Sequence, residues 1–413
     1  MVGKDLIMAT LFGSGGGSSG SGGAAGVSPK EVNFYDYDGT CVHAYTVEEA
    51  QALSELPAGP EHDGLVFQGW NWSLEGVKGL TRAMNIGAMY TPDDGTTRLY
   101  ITLQEGRTSP MLGVGVNGTV TVDWGDGTEP DVLTGTSTST VKWTPNHAYA
   151  APGDYVIRLT VDGEMAINGQ TTANKYSELL RHTESADSRN VVYQNALLRL
   201  EIGNNVTFGK SALYKCLSVS SVNIPNSMAD IAFGVFRGCK SLRHVTIPKN
   251  ANDIGAYAFS GCYSIATIAF PENISSIGND SFSDCYSLLN ATLPSSVKDS
   301  LNNVKFSKCT SITNLDLPDG KTELSVYTLN ECHALANVKI PGTVASVTIY
   351  AVYNCTGLAF IDFTDCAAVP TMANSNALSG LPSDCEIRVP AALYDEWIAA
   401  TNWATFASQI KAY

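Results

Sequence analysis

Between residues 197 and 365 the apolar and polar positions recur in a fixed order. Cys216, Cys239, Cys262, Cys285, Cys309, Cys332 and Cys355 are separated by 23, 23, 23, 24, 23 and 23 residues. Three residues before each stands Leu213, Phe236, Phe259, Phe282, Phe306, Leu329 or Val352, and three after it Val219, Leu242, Ile265, Leu288, Ile312, Leu335 or Leu358. Prolines keep the same phase at Pro225, Pro248, Pro271, Pro294, Pro318 and Pro341. Just before each proline lies a short alternating run: SVNI, HVTI, TIAF, NATL, NLDL and NVKI. Alternation predicts a strand whose second and fourth residues point inward. The outward stripe is then Ser221 and Asn223, His244 and Thr246, Thr267 and Ala269, Asn290 and Thr292, Asn314 and Asp316, Asn337 and Lys339. A unit of this length cannot bury its apolar positions alone, so neighbours must stack into a solenoid.

Upstream the period is lost and other patterns replace it. Residues 32–45 (VNFYDYDGTCVHAY) read as two strands joined by an Asp38–Gly39 turn. Thr46 with Glu49 forms a capping-box pattern and opens a short helix to about Leu53. Pro57 and Pro60 interrupt the chain, and 66–72 (VFQGWNW) returns as a strand. From 96 to 165 four runs alternate with period two: LYITL, GTVTVDW, STVKW and YVIRLTV. Turn clusters between them predict an antiparallel sandwich. Residues 166–196 lead into the solenoid, with a short helix expected over 176–181. At the far end, a strand at 387–389 and Pro390 introduce a helical cap over 387–413. Leu393, Trp397 and Ile398 share one face of it, with Trp403, Phe406 and Ile410 continuing the coverage. The expected organisation is a peptide and linker at 1–26, modules at 27–95 and 96–165, a lead-in at 166–196, the solenoid at 197–386 and the cap. The fold class is multidomain and mainly β.

Each segment resembles a known family. The repeated aromatic-x-x-Cys-x-x-Leu followed by a strand and Pro is similar to the BspA-like leucine-rich repeats, as is the terminal cap. The Tyr37-Asp38-Gly39-Thr40 turn and the Phe67-Gln68-Gly69-Trp70 close resemble the Listeria–Bacteroides repeat, a small β-grasp module of bacterial surface proteins. Trp124-Gly125-Asp126-Gly127, then His147-Ala148-Tyr149, then Gly153-Asp154-Tyr155 resemble the PKD domain, an immunoglobulin-like fold commonly used as a spacer or adhesive module. The whole arrangement resembles proteins of gut Firmicutes and their prophages.

The period also constrains the chemistry of the ten cysteines. Equivalent positions of stacked rungs lie roughly 5 Å apart, with side chains parallel. That geometry is poor for disulfides and gives a line of sulfurs instead of the tetrahedron that zinc takes. Each thiol is expected to be a small buried hydrophobe with a weak donor for loop carbonyls. Cys41, Cys366 and Cys385 lie outside the array. Asp123 and Asp126 are expected to bond the backbone N–H groups of their turn, with Gly125 and Gly127 supplying positive φ. They could instead hold Ca²⁺, which needs six or more oxygens. Phe34, Tyr35, Tyr37, Trp70 and Trp72 either form the core of a small domain or stack on sugars.

Composition adds exclusions. Twenty-five basic against 40 acidic residues give a formal charge of −15, which disfavours nucleic-acid binding. No apolar run reaches the roughly 18 residues of a membrane span. Residues 1–12 carry too short an apolar stretch for a secretory signal, and 13–26 form a Gly/Ser linker. The peptide is either a tail or a tethered docking element for a virion or surface assembly partner. Six scattered histidines and the lack of any nucleophile, P-loop or metal-protease pattern predict no catalytic, cofactor or metal residues. The expectation is a non-catalytic adhesion or receptor-binding protein, associated with a phage or prophage tail. It would recognise a cell-surface protein or glycan through Ser221, Asn223, His244, Thr246, Thr267, Asn290, Thr292, Asn314, Asp316, Asn337 and Lys339. The alternatives are a bacterial surface adhesin built of the same modules, or a scaffold without external ligand.

Overall fold

The computed structural model describes residues 26–168, 179–182, 193–297, 301–317 and 319–413. The N-terminal peptide, most of the linker, most of the lead-in, Pro318 and the start of the expected helix at 176–181 lie outside them.

Residues 26–95 form a four-stranded sheet in the order β2-β1-β4-β3. Its strands are β1 (Val32–Tyr35), β2 (Cys41–Tyr45), β3 (Leu65–Trp70) and β4 (Met84–Pro92). The β1–β2 hairpin falls where the Asp38–Gly39 turn predicts it, and Gly39 takes φ +90°. Thr46 caps α1 (Val47–Gln51) with both halves of the capping box formed. A second helix, α2 (Leu74–Lys78), follows β3. The central strand β4 runs parallel to β1 and antiparallel to β3, and every one of its residues is buried. The sequence pattern missed this strand, because one face meets the module's own core and the other meets the solenoid. A strand buried on both sides shows no alternation.

The next four strands are β5 (Thr97–Leu103), β6 (Met111–Asp123), β7 (Asp131–Trp143) and β8 (Gly153–Ile167), all antiparallel to their neighbours. They do not stop at the expected boundary. β10 (Leu197–Glu201) pairs antiparallel with β5, and the first solenoid strand, β12 (Ser221–Asn223), pairs parallel with β10. The edge of β5, which would otherwise expose its backbone, thus leads into the repeats. One hydrophobic cluster runs unbroken from Leu99 to Ile410, while the module at 26–95 keeps a separate core. Leu180–Arg181, the described end of the expected helix, form a strand (β9) on β6 instead.

The turn at 123–128 behaves as expected. Asp123 Oδ1 accepts from Gly125 N at 2.9 Å, and Asp126 Oδ1 from Thr128 N at 3.2 Å. Asp126 Oδ2 meets His147 Nε2 at 2.8 Å, and the His147 ring stacks on Trp124 at 4.5 Å.

In the solenoid the inward strand residues and all seven repeat cysteines are buried. The thiols of Cys239, Cys262, Cys285, Cys309 and Cys332 each donate to a carbonyl of the previous rung, at 3.0–3.4 Å. Beside them Phe236, Phe259, Phe282 and Phe306 stack in parallel with centroids 5.3, 5.9 and 5.7 Å apart. Burial pushes up the thiols of Cys239, Cys262, Cys285 and Cys309, that of Cys285 to about 12. A second row of two-residue strands, such as Glu323–Leu324, Ser346–Val347 and Thr371–Met372, lines another side. The C-terminal cap places Trp397 on α3 (Tyr394–Ala399) and Trp403 after it, both fully buried against Phe363. Ile410–Ala412 add a further parallel strand on Glu386–Val389.

Candidate binding face of the solenoid

The outward stripe divides into a covered and an open half. The N-terminal module lies across the first rungs, and β4 is its contact strand. Asn223 Nδ2 donates to the Tyr90 carbonyl at 3.0 Å, and its Oδ1 accepts from Ile202 N at 2.6 Å. Asn85 Nδ2 reaches Asn290 Oδ1 at 2.9 Å. Asn71 Nδ2 bridges the carbonyls of Ile247 and Ala269, both at 3.1 Å, while its Oδ1 accepts from Gly87 N. Trp72 Nε1 donates to the Phe270 carbonyl at 2.6 Å, and Ser73 Oγ to Glu272 Oε2 at 2.8 Å. Gly87 is required by this approach, since a Cβ there would fall on the Thr246 side chain.

His244 sits in the middle of the contact. Its Nδ1 lies 2.6 Å from Thr267 Oγ1 and its Nε2 3.2 Å from Thr246 Oγ1, with the Tyr35 ring 5.5 Å away. Burial pulls its pKa down to about 4, against a weaker upward pull from Asp36.

The site expectation is therefore corrected for its first half. Asn223, His244, Thr246 and Thr267 are buried, and Asn290 is bonded to the module. Ser221 and Thr292 are half-buried. Asn223, His244, Thr246, Thr267 and Asn290 thus complete an intramolecular interface and do not face an external ligand while the module is docked. Of the aromatic residues at 34–72, Phe34, Tyr35, Trp70 and Trp72 are buried and Tyr37 is half-buried, so they form core and contact and leave no open stacking platform.

Asn314, Asp316, Asn337 and Lys339 are exposed. The stripe continues past the expected residues through Phe360 and Asp362, Glu386 and Arg388, and Lys411. Here Lys339 pairs with Asp365 at 2.7 Å, which holds the Lys339 ammonium above its ordinary pKa. Arg388 lies over the rings of Phe360 (3.6 Å) and Tyr413 (4.6 Å) and pairs with Glu386 at 2.9 Å. Hydrogen bonds from Tyr413 and Arg388 keep Glu386 below the usual carboxylate range. The signal for this extension was in the sequence: FIDF, EIRV and IKAY keep the alternation after the Cys–Pro phase has lapsed. Among the described residues no group of three or more His, Cys, Asp or Glu side chains converges as a metal set, and no helix is long and apolar enough to cross a membrane.

The protein is a β-solenoid carrying an N-terminal β module, and its repeats match a leucine-rich repeat family. Residues 206–304 and 298–379 match the family described as BspA type leucine rich repeat region, in six copies. No curated protein matches the chain. Among solved structures it is similar to a leucine-rich repeat protein from Bacteroides ovatus at 20% identity, over 55% of this chain and 72% of that one, with a TM-score of 0.36. A T. pallidum leucine rich repeat protein matches at 22% identity over 53% and 83% of the two chains, with a TM-score of 0.31. A leucine rich cell surface protein from Faecalibacterium prausnitzii matches at 20% identity over 57% and 84%, with a TM-score of 0.30.

Proposed function

We propose that this is a non-catalytic adhesion or receptor-binding protein whose ligand, a cell-surface protein or glycan, lies on the open rungs. The observation that carries this reading is the outward stripe from Asn314 to Lys411, which starts where the docked module ends and is exposed at Asn314, Asp316, Asn337, Lys339 and Lys411 and half-buried at Phe360, Asp362, Glu386 and Arg388. It offers amides, both signs of charge and an aromatic–arginine stack on a regular strand spacing, a surface that suits polar recognition better than catalysis. In its order β2-β1-β4-β3 with a parallel centre, the N-terminal sheet fits a β-grasp module, and the Trp124–His147–Tyr149 cluster fits the PKD-like spacer.

The test is binding of the labelled full chain to whole bacterial cells, with Asn314→Trp and Asn337→Trp introduced together. Both side chains are exposed, so stability should change by no more than about 0.5 kcal/mol. Cell binding should fall at least tenfold, and unchanged binding would move the ligand off this face. Mass spectrometry of purified virions and of the cell envelope separates a phage or prophage tail protein from a bacterial surface adhesin.

A further inference from the structure

A second surface, on the turn side of the solenoid, holds two basic side chains on tyrosine rings. Residues 205–250 carry six basic side chains (Lys210, Lys215, Arg237, Lys240, Arg243 and Lys249) and one acidic one, Asp230, whereas residues 251–286, which bring Tyr257, Tyr263 and Tyr286, carry Asp253, Glu272, Asp280 and Asp284. The exposed Arg237 guanidinium lies between two rings, 4.8 Å from the centroid of Tyr257 and 5.7 Å from that of Tyr214. Exposed Lys240 lies 4.6 Å above Tyr263, whose own ring stacks on Tyr286 at 4.6 Å. Among the described residues neither Arg237 nor Lys240 has a carboxylate partner, whereas Lys308 and Lys339 on later rungs do.

The left-handed conformation of Tyr257 (φ 57°) recurs at the equivalent Ser211, Gly234, Asp280, Tyr327 and Tyr350 and belongs to the repeat. What separates this arrangement from an ordinary solvated surface is that cation–π contacts fix the basic groups without neutralising them. A planar guanidinium held in place has lost much of its rotamer freedom before a ligand arrives, and its fork matches carboxylate and sulfate oxygens bidentately.

We propose that this turn-side cluster binds an acidic polysaccharide, with Arg237 and Lys240 each taking a carboxylate or sulfate group. Arg237 and Lys240 lie three residues apart on one rung, so a single short run of charged saccharides could meet both. Single-stranded nucleic acid fits less well, because it needs open ring faces for its bases. Here Tyr263 is covered by Lys240 and Tyr286, and the rings of Tyr257 and Tyr214 face Arg237.

The inference goes beyond adhesion through the open strand face, and its test is independent of it. The full chain is titrated in 50 mM salt with a heparin-derived octasaccharide, an oligogalacturonate, and a twenty-nucleotide oligothymidylate, and the glycan titrations are repeated at rising salt. Binding of either glycan is expected, the two glycans telling sulfate from carboxylate recognition. Arg237→Gln with Lys240→Gln should weaken it about tenfold or more and flatten its salt dependence, with an unchanged melting curve. Arg237→Lys alone should restore less than the wild-type affinity, since lysine lacks the planar fork. The Asn314→Trp, Asn337→Trp protein should bind these glycans as the wild type does. Absence of glycan binding by the wild type, equal binding by the double variant, or tighter binding of the oligothymidylate would each overturn the proposal.

Discussion

His244 makes module docking sensitive to acid, and the sign follows from its surroundings. In the docked state the ring is fully buried and its pKa is pulled down to about 4. Once the module lifts, the ring meets water and returns towards its ordinary value of about 6.5. The undocked state therefore binds the proton first as pH falls. Docking is at full strength above pH 6.5, weakens between pH 6.5 and 4, and levels off below 4. At about 1.4 kcal/mol per pH unit, the gap corresponds to about 3 kcal/mol of docking free energy lost across that window. Hydrogen exchange of peptides covering 84–92 and 244–246, corrected for the intrinsic pH dependence of exchange, reports the opening free energy directly. His244→Gln keeps a donor and an acceptor for the Thr246 and Thr267 hydroxyls but does not titrate. The two carboxylates nearest the contact, Asp36, which pairs with His62 at 2.8 Å, and Glu272, are present in both proteins. The wild type should thus lose about 3 kcal/mol more protection than the variant between pH 7 and pH 4. An equal loss in both would refute the assignment of the acid response to His244.

Three further outcomes test the packing. Cys239, Cys262, Cys285, Cys309 and Cys332 should resist alkylation at pH 8 and react once the chain is denatured, as read by intact mass. Cys262→Asp should lower the melting temperature sharply, because a carboxylate replacing that thiol is buried without a partner at a cost of several kcal/mol. Gly87→Val should expose the first rungs, because the new side chain would meet Thr246. Loss of hydrogen-exchange protection at 244–246 and 267–269, with protection at 337–339 retained, is the expected reading. An unchanged pattern would mean that β4 does not set the contact.

Much of the solenoid was legible because a stacked rung repeats its chemistry. The Cys at one phase, the Phe three residues earlier and the alternating run before Pro each predict one side of a rung, and the structure puts them there. The hairpin at 32–45 and the Thr46 capping box were legible for a local reason, since their hydrogen bonds close within a few residues. The strand at Met84–Pro92 was not, because the outer part of its environment is made by residues such as Asn223 and Asn290, 133 and 205 positions away from their partners in the chain. Two-residue strands such as Asp253–Ile254 are too short to show any period. The junction of β5 with β10 was hidden for a similar reason: an edge strand and a strand covered by a distant partner alternate alike.

The destination of the outward stripe was written in a signal whose meaning only the docked module supplies. Ser221, Asn223, His244, Thr246, Thr267, Ala269, Asn290 and Thr292 include no side chain charged at neutral pH, and Asp316 is the first carboxylate on the stripe. Beyond it come Lys339, Asp362, Glu386, Arg388 and Lys411. A low charge density reads at first as a neutral ligand platform. Burying an unpaired charge costs several kcal/mol, whereas an amide or hydroxyl can be satisfied by one or two hydrogen bonds. A face that is to be covered by another part of the same chain must therefore pair any ionised group it carries, as Glu201 is paired with Arg199 on the preceding strand, and otherwise keep groups that can be bonded. Asn223, Asn290, Thr246 and Thr267 fit that rule, and His244 fits it only as the neutral ring. The onset of charge marks the edge of the module's footprint, and the surface available to a partner begins there.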